Sequence, residues 1–286
     1  MLDGAHAFAI PTKYGQKMIV KNSRGSDLVW ECIDKDGNSW FSSHISLYDF
    51  SAINTTDQEV SDNLQKILKN AVRLNSEFLS KWNGFKVETQ LEFPIDWGLG
   101  SSSSLFSLIG DWADINALML YFKVENGSGY DVACSGAGQP IIYVSSDEEI
   151  SYTPVEFNPP FKKNLYFVHL NKKQDSRQGI KEYLKSVKKR KALVKAISTI
   201  SDQMFEAKEL KTFSSLMEKH EDLISEHTGF QKVKDLYFSD FWGAIKSLGA
   251  WGGDFILAAS DKPETETRKY FEEKGFPTIL TYDEMI

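Results

Sequence analysis

A glycine- and serine-rich segment, residues 94–104, constrains the fold of this chain more than any other part of its sequence. Apolar and polar residues alternate before it, over residues 85–93, and this period of two predicts a β-strand with one exposed face. Apolar positions after it, from Leu105 to Trp112, have the spacing of a helix. The chain therefore passes from a strand through a glycine turn directly into a helix.

The glycine turn is suited to hold a phosphate group. Gly98 and Gly100 let the backbone direct its N–H groups inward, and the start of the following helix adds unsatisfied donors and the positive end of the helix dipole. Serine hydroxyls can donate to phosphate oxygens or coordinate Mg²⁺. Because no lysine follows the glycines, the segment is not a Walker A loop. The same pattern also occurs as a plain connection between a strand and a helix.

The length of the chain favours two units over one. Its 286 residues are more than a single core usually holds, and the prolines within residues 153–163 indicate a linker. The β-prone residues 164–170 follow that linker and predict a buried strand that opens a new unit. We therefore expect one domain over residues 1–157, a second over residues 158–286, and a cleft that they share.

The remaining patterns mix helices with strands, which predicts an α+β fold. Apolar spacing predicts a helix over residues 57–81, and Asp114 is expected to cap another short helix. Most of the second half has a helical pattern, including residues 236–247. Short β-prone runs in the first third predict a small antiparallel sheet, formed by residues 7–11, 16–21, 28–33 and 39–43.

Composition excludes several classes of partner. The chain has 33 basic and 40 acidic residues, a formal net charge of −7, so a broad basic face for nucleic acid is not expected. No apolar run approaches the roughly 18 residues needed to cross a bilayer, and no secretory signal pattern is present. We expect a cytoplasmic protein that binds neither nucleic acid nor membranes, and a homodimer is left open. Cys32 and Cys134 are far apart in the sequence, which predicts reduced thiols.

Three blocks along the chain resemble the GHMP kinases, a superfamily named for galactokinase, homoserine kinase, mevalonate kinase and phosphomevalonate kinase. Residues 94–103 match its phosphate loop, Pro-x-x-x-Gly-Leu-Gly-Ser-Ser-(Ala/Ser), at every defined position. Residues 127–133, Gly-Ser-Gly-Tyr-Asp-Val-Ala, resemble the segment with its acidic catalytic residue, and residues 249–253 resemble its C-terminal glycine motif. The Gly-Tyr-Asp-Val-Ala motif, together with residues 11–15, is most similar to a mevalonate-kinase-like bacterial subgroup.

This resemblance implies a two-domain α+β fold, with an N-terminal domain like ribosomal S5 domain 2 and a ferredoxin-like C-terminal domain. It also implies ATP and Mg²⁺ as cofactors, and transfer of the γ-phosphoryl group to a hydroxyl of a small alcohol. Mevalonate is the favoured acceptor. Phosphomevalonate or a sugar as acceptor, and a nucleotide-binding protein without turnover, are the alternatives.

The resemblance also assigns roles to individual residues. Asp131 is expected to take or orient the proton of the acceptor hydroxyl, and Ser102 to face Mg²⁺. The expected nucleotide contacts are Gly98, Leu99, Gly100, Ser101, Ser102, Ser103, Ser104 and Gly252. The expected contacts to the acceptor are Lys13, Ser176, Arg177 and Gly249.

The sequence departs from the family pattern at three places. It starts inside the motif that follows the family's first strand, so we expect that strand to be absent, which keeps the alternative without turnover open. The position of the family's metal-binding glutamate falls on Leu120. Asp254 follows the C-terminal glycines, where a neutral small residue is common in the family.

Overall fold

The computed structural model describes residues 1–80, 83–145, 150–173, 176–186, 190–249, 251 and 253–286, and describes the backbone alone for residues 176–178, 182, 186 and 190. Helices and strands are mixed along the chain, which confirms the α+β class. The strands are β1 (Ala7–Ala9), β2 (Gln16–Ser23), β3 (Asp27–Ile33), β4 (Ser39–Ser46), β5 (Ala52–Thr55), β6 (Gly84–Leu91), β7 (Ile141–Ser145), β8 (Ile150–Pro154), β9 (Leu165–His169), β10 (Ala244–Ser247), β11 (Phe255–Ala259) and β12 (Ile279–Thr281). The helices are α1 (Gln58–Leu74), α2 (Ser101–Ala113), α3 (Ala117–Val124), α4 (Tyr130–Ala137), α5 (Ser176–Ser186), α6 (Arg190–Glu206), α7 (Leu210–Thr228), α8 (Val233–Tyr237), α9 (Glu264–Glu273) and α10 (Tyr282–Met285).

Contacts divide the chain into two compact units. The central unit comprises residues 14–95 and 100–136, and the terminal unit comprises residues 1–13, 96–99 and 137–286. This division does not follow a single boundary after residue 157, because the first 13 residues and the stretch from Ala137 onward pack with the C-terminal half. The assignment of two family domains, residues 1–157 and 158–286, stays a prediction.

A five-stranded sheet, in the order β2-β6-β3-β4-β5, forms one layer of the central unit. Strands β3 and β6 run parallel, with Leu28 beside Phe85, whereas the other neighbouring pairs are antiparallel. The predicted small antiparallel sheet is confirmed for β3 and β4, but β6 lies between β2 and β3 and runs parallel to β3. Between β3 and β6 the chain makes a long crossover that includes α1, as a parallel pair requires. The first β-prone run was also misplaced, since β1 lies in the terminal unit, and β5 was not predicted.

Helices α1 to α4 pack against the inward side chains of this sheet. Trp30 of β3, Val87 of β6, Leu68 of α1 and Phe106 of α2 are among the most buried residues of this core. Helix α1 begins where the pattern predicts, because the Asp57 side chain accepts the Val60 N–H. It ends at Leu74 and not at residue 81, because the backbone of the next residue is extended.

The predicted cap at Asp114 was wrong. Asp114 ends α2 in a left-handed conformation with φ of 53°, and its own N–H bonds back to the α2 carbonyls. The side chain of Asn116 caps α3 instead, by accepting the Met119 N–H. Asn and Asp are both good capping residues, so composition alone does not decide between two positions so close together.

The terminal unit contains two sheets. In one, β7 lies between β1 and β8; the other has the order β10-β11-β9-β12, and all pairs in both are antiparallel. The four-stranded order and its helical crossovers are those of a ferredoxin-like fold. All five residues of β9 are buried, as predicted for a strand that opens this half. None of the helices in the described part of the chain has both the length and the apolar character that crossing a bilayer requires.

The predicted helix over residues 236–247 was wrong, since this stretch contains the end of α8, a connection and β10. Ala244 pairs with Ala259 at the start of β10, and Ala244, Ile245 and Ser247 are buried. A Cβ on Gly243 would lie 1.9 Å from the Ala259 carbonyl oxygen, so glycine permits the two chains to approach. Helix α10 was also missed; it begins with a capping box formed by Thr281 and Glu284.

Candidate functional site

The part of the glycine turn that belongs to the terminal unit, residues 96–99, is held by aromatic and polar contacts. The Trp97 ring meets the Phe255 ring edge to face, with 5.4 Å between centroids. His169, which is 3% exposed, donates from Nε2 to the Asp96 carbonyl over 3.2 Å. Because His169 and Phe255 lie on neighbouring strands β9 and β11, the sheet fixes where the chain enters the turn.

Gly98 lies directly against the side chain of Asp254. A Cβ at Gly98 would come within 2.2 Å of Cγ and Oδ1 of Asp254, and Gly98 has a φ of 65°. Asp254 is itself left-handed, with φ of 52°, and backbone bonds hold it on both sides: its N–H donates to Lys172 and its carbonyl accepts from Leu170. The carboxylate therefore lies against the first glycine of the turn, and a side chain at position 98 would require Asp254 to change its rotamer.

The part of the turn in the central unit begins α2. Gly100 is the N-cap residue with φ of 80°, and no side chain caps this helix. The first-turn N–H groups of α2 thus have no capping oxygen, which is the arrangement that binds anions at helix N-termini. Ser101 and Ser102 lie in this turn, whereas the Ser104 hydroxyl donates to Gln16 Oε1 over 2.7 Å.

Asp131 and Ser103 are joined by a short hydrogen bond. The Ser103 hydroxyl donates to Oδ2 of Asp131 over 2.6 Å, and the Val132 N–H donates to Oδ1 over 3.0 Å. Ser103 is 6% exposed, so water competes little for this bond. Each carboxylate oxygen accepts one fixed donor and keeps lone pairs for another, an arrangement that suits an oriented proton acceptor.

Gly129 determines where α4, and with it Asp131, begins. It has a φ of 73°, and a Cβ there would lie 3.0 Å from Leu118 Cδ2 and Phe122 Cζ of α3. Glycine therefore lets α4 start close against α3. Asp131 then lies in the first turn of α4, within reach of α2.

Cys134 follows Asp131 by one helical turn. Burial, and then the nearby Asp131 carboxylate, raise the pKa of its thiol to about 12. A thiol with such a pKa stays protonated at neutral pH and is a poor nucleophile. Cys134 and Cys32 are both free and buried, in agreement with the prediction of reduced thiols.

The other residues expected to contact substrate have more varied positions. Lys13 donates from its ammonium to the Asp283 carbonyl and from its backbone to Met285, so its charge lies beside α10. Gly249 has a φ of 56° just after β10. Ser176 and Arg177 begin α5, but their side chains are not described, and Gly252 lies outside the described residues.

The described part of the chain offers few ligands for a magnesium ion. Leu120, at the position of the family glutamate, is 0% exposed in the central core, and no group of three His, Cys, Asp or Glu residues suited to a metal occurs in the described part of the chain. In the central unit, the Ser102 hydroxyl lies in the first turn of α2 and is an oxygen donor of the kind that Mg²⁺ accepts. Since Mg²⁺ usually keeps several waters and binds substrate phosphates, so small a contribution from the protein fits it.

Asp254 was singled out in the sequence, but without a role. The only signal was an acidic residue where a neutral one is common. Its contact with Gly98 joins residues far apart in the chain, and no local pattern specifies such a contact. The same holds for Gln16, which supports Ser104 from β2.

Comparisons with known proteins show that the chain has the GHMP kinase fold. No protein-family model and no curated protein matches the sequence. Among solved structures, Methanococcus jannaschii mevalonate kinase is similar with a TM-score of 0.70 and 18% identity, covering 97% of this chain and 90% of that one. Lactococcus lactis galactokinase complexed with galactose gives 0.66 and 15%, covering 98% and 88%. Streptococcus pneumoniae phosphomevalonate kinase in complex with phosphomevalonate and AMPPNP gives 0.66 and 12%, covering 96% and 99%.

Proposed function

We propose that this protein is an ATP-dependent kinase that phosphorylates a hydroxyl group of a small molecule. The observation that carries the proposal is the Ser103–Asp131 hydrogen bond, which fixes a carboxylate beside the uncapped start of α2. The first turn of α2 can thus bind phosphate, while Asp131, which is hydrogen-bonded to Ser103 of that turn, accepts a proton. The fold shared with mevalonate kinase, galactokinase and phosphomevalonate kinase supports this use of the two features.

The first task of such a site is to bind the triphosphate. Phosphoryl transfer depends mainly on positioning and on neutralising charge. The first-turn N–H groups of α2, with the hydroxyls of Ser101 and Ser102, are the donors proposed to hold the phosphates. Mg²⁺, held through the Ser102 hydroxyl, would neutralise phosphate charge when bound. We keep Leu99 and Gly252 as proposed nucleotide contacts.

Asp131 is the proposed general base. The acceptor oxygen attacks the γ-phosphorus, the bond from that phosphorus to the bridging oxygen of ADP breaks, and the acceptor proton passes to the Asp131 carboxylate. The Val132 N–H and the Ser103 hydroxyl hold the carboxylate still during this transfer. No covalent intermediate with the protein is needed, and the protonated thiol of Cys134 is not suited to form one.

Mevalonate is the proposed acceptor, because the Gly-Tyr-Asp-Val-Ala motif is most similar to a mevalonate-kinase-like subgroup. Solved structures with this fold also include a galactokinase with galactose and a phosphomevalonate kinase with phosphomevalonate. Both compounds therefore remain alternative acceptors. Ser176, Arg177 and Gly249 are the proposed acceptor contacts, whereas Lys13 is engaged with α10.

A coupled assay of ADP release tests this proposal. Mevalonate, phosphomevalonate, galactose and homoserine are each supplied with Mg²⁺ and ATP, and turnover with mevalonate is expected. The Asp131→Asn variant should lower kcat by at least about 100-fold, because a positioned base contributes about that much, and should leave the affinity for the ATP analogue AMPPNP unchanged.

Asp111→Asn is the matched control, since Asp111 is exposed near the other end of α2. It should keep full activity. Unchanged turnover in Asp131→Asn would remove Asp131 from the chemistry. AMPPNP binding without turnover of any acceptor would favour the nucleotide-binding alternative, and the absence of AMPPNP binding would refute the proposal.

A further inference from the structure

Glu221 of α7 and Lys246 of β10 form an ion pair inside the terminal unit. Their side chains are 3% and 15% exposed, and 3.8 Å separates Oε1 of Glu221 from Nζ of Lys246. The next residue of the strand, Ser247, donates from its hydroxyl to Oε2 of Glu221 over 3.1 Å, and its carbonyl accepts from Lys246 Nζ over 3.0 Å. One carboxylate of the helix is thus held by two consecutive residues at the end of the strand.

This pair is a poor device for stabilising a fold. Removing two charges from water costs free energy, and replacing such a pair with apolar side chains of similar size is often neutral or stabilising. Oε1 of Glu221 has no hydrogen-bond partner in the described part of the chain, because 3.8 Å to Lys246 is too long for one. Burial raises the pKa of Glu221 and lowers that of Lys246, and in each case the charge of the partner counteracts this effect. The pair is therefore better explained by the positions that it fixes than by the stability that it adds.

The C-terminal glycine motif, residues 249–253, follows directly on this pair. Ser247 is the last residue of β10, and the Leu248 N–H donates to the Phe255 carbonyl over 3.3 Å at the base of the motif. Gly249 then turns the chain with a φ of 56°. Because Leu248 alone lies between Ser247 and Gly249, a shift of the strand end passes directly to the motif.

Helix α7 reaches the same motif by a second route. Gly229 ends the helix in left-handed backbone, and the Ser225 hydroxyl donates to the Phe230 carbonyl over 2.7 Å, which holds the chain just beyond the helix. The Phe230 ring lies 6.2 Å from the Trp251 ring, measured between centroids, in the middle of the motif. One helix therefore holds the strand before the motif through Glu221, and the segment after that helix contacts the motif itself.

We infer that Glu221 is a positioning residue for the proposed kinase reaction and acts through Lys246 and Ser247. It fixes the end of β10 and with it Gly249, which is a proposed acceptor contact. The inference rests on the proposed function and adds three residues that lie outside the motif blocks of the sequence. Loss of the pair should therefore impair the use of the acceptor even where the protein remains folded.

A double variant, Glu221→Gln with Lys246→Met, tests the inference. Either single substitution leaves the other group buried without its partner, which destabilises a protein strongly. The double variant removes both charges at nearly constant size, so its urea midpoint should stay close to that of the wild type. It should still lower kcat/KM for the acceptor by about 10- to 100-fold, mainly through KM, because a small misplacement far from the chemistry can cost that much. The affinity for AMPPNP should change less.

Fluorine NMR of the chain labelled with 5-fluorotryptophan observes the motif without any need for turnover. The Trp251 resonance is identified by its absence from a Trp251→Phe variant. In the double variant this resonance should shift or broaden, because the strand end that precedes the motif is no longer fixed. The resonances of the tryptophans in the central unit should stay unchanged.

Ser247→Ala is a milder variant that keeps both charges and removes only the hydroxyl that binds Glu221. It should raise the acceptor KM and shift the Trp251 resonance in the same direction as the double variant, but by less. Ser247→Thr keeps the hydroxyl and should recover both values. A defect of packing alone would not be reversed by the larger threonine.

Glu218→Gln is the matched control. Glu218 lies about one turn earlier on α7, and its carboxylate pairs with Lys234 of α8 over 3.1 Å and not with β10. The substitution removes the same charge from the same helix. It should keep the wild-type KM and leave the Trp251 resonance in place.

Wild-type values of both KM and the Trp251 resonance in the double variant would mean that the pair only contributes to the fold. A shifted resonance with a normal KM would mean that the place of the motif does not matter to the acceptor. Either result overturns the inference and leaves the proposed function standing. Absence of turnover by the wild type with every acceptor overturns the proposed function and the inference together.

Discussion

Asp131 depends on its neighbours for its orientation. An aspartate side chain on a helix has several accessible rotamers, and two donors reduce this choice: the Val132 N–H at 3.0 Å and the Ser103 hydroxyl at 2.6 Å. The backbone donor is present whatever the sequence. The serine donor depends on position 103, where the family motif also allows alanine, so this chain uses the side-chain option.

Removing the Ser103 hydroxyl should therefore slow the chemical step. Ser103→Ala is expected to lower kcat by about 10- to 100-fold, because a hydrogen bond to a charged group is worth about 1.5–3 kcal/mol. The affinity for AMPPNP should change little, since the hydroxyl is directed at Asp131 and not at the phosphates. Steady-state kinetics with the acceptor found in the assay gives the separate effects on kcat and KM.

Ser107→Ala is the control for that experiment. Ser107 lies one turn further along α2, is also buried, and donates to the Ser103 and Val132 carbonyls over 3.4 Å, without touching Asp131. It should keep normal kcat, and Ser103→Thr should recover part of the activity because it keeps the hydroxyl. Equal losses in the two alanine variants would indicate a packing defect and not a role in orienting Asp131.

Some of these residues could be predicted from sequence and others could not. The turn at Gly98 and Gly100 could be predicted, because the glycines stand between a strand pattern and a helix pattern, and both have left-handed backbone. The hydrogen-bond partner of Ser103 could not be predicted, because it depends on the approach of α4 to α2. The motif assigned Ser103 to the nucleotide, whereas its hydroxyl is bonded to the proposed base.

Helix boundaries in the central unit depend on which polar residue takes the capping position. Asn116 caps α3, and Asp114 two residues earlier ends α2 in left-handed backbone. Asn116→Ala should lower the free energy of unfolding by about 1 kcal/mol, since it leaves an N–H of α3 without its acceptor. Asp114→Gly should be neutral or stabilising, because glycine adopts this backbone without strain.

Urea denaturation of the two variants and the wild type measures these changes. A larger loss in the Asp114 variant than in Asn116→Ala would restore the original assignment of the cap. The pair is well matched, since both positions lie in the connection between α2 and α3 and neither belongs to the proposed site.

Regular patterns predicted the long elements well and the short ones poorly. The alternation of β6 and the spacing in α1 reflect a single buried face, so local sequence was sufficient. Residues 244–247 form too short a run for periodicity to distinguish a strand from a helix. These residues form a strand because they pair with β11, which comes later in the sequence, after the turn.

At the scale of the whole molecule, the motifs specified the fold better than any periodicity did. Three short blocks predicted a GHMP kinase fold, which the similarity to solved structures confirms. The membership of β1 in a sheet with β7 was not foreseen, because this pairing joins residues at a large distance along the chain. Non-local contacts of this kind leave no trace in a local pattern.

The stability of the protein should depend on pH through His220 of α7. Burial, and then the Lys246 ammonium, lower the pKa of His220 well below its ordinary value of 6.5. The unfolded chain therefore binds this proton more readily, so the free energy of unfolding should fall as pH drops below about 6.5, with a slope of at most about 1.4 kcal/mol per pH unit. His220→Gln should remove this slope.

Urea denaturation of the wild type and His220→Gln at several pH values between 5 and 8 measures the effect. Burial raises the pKa of the neighbouring Glu221 above its ordinary value of 4.5, so the folded protein binds that proton more readily than the unfolded chain does. Glu221 therefore lowers the free energy of unfolding as pH rises above 4.5, which is opposite to the effect of His220. The difference between the two proteins, and not the wild-type curve alone, therefore isolates His220. Parallel curves would mean that the histidine is not held neutral in the folded protein.

The contact between Gly98 and Asp254 also predicts which residues should occur together at these two positions in related sequences. A side chain at position 98 would collide with the Asp254 carboxylate in its present rotamer, so the two positions are not free to vary independently. Among descendants of a common ancestor, an acid at 254 should occur only together with glycine at 98. A neutral residue at 254 removes this restriction, although the left-handed backbone at position 98, with a φ of 65°, still favours glycine there.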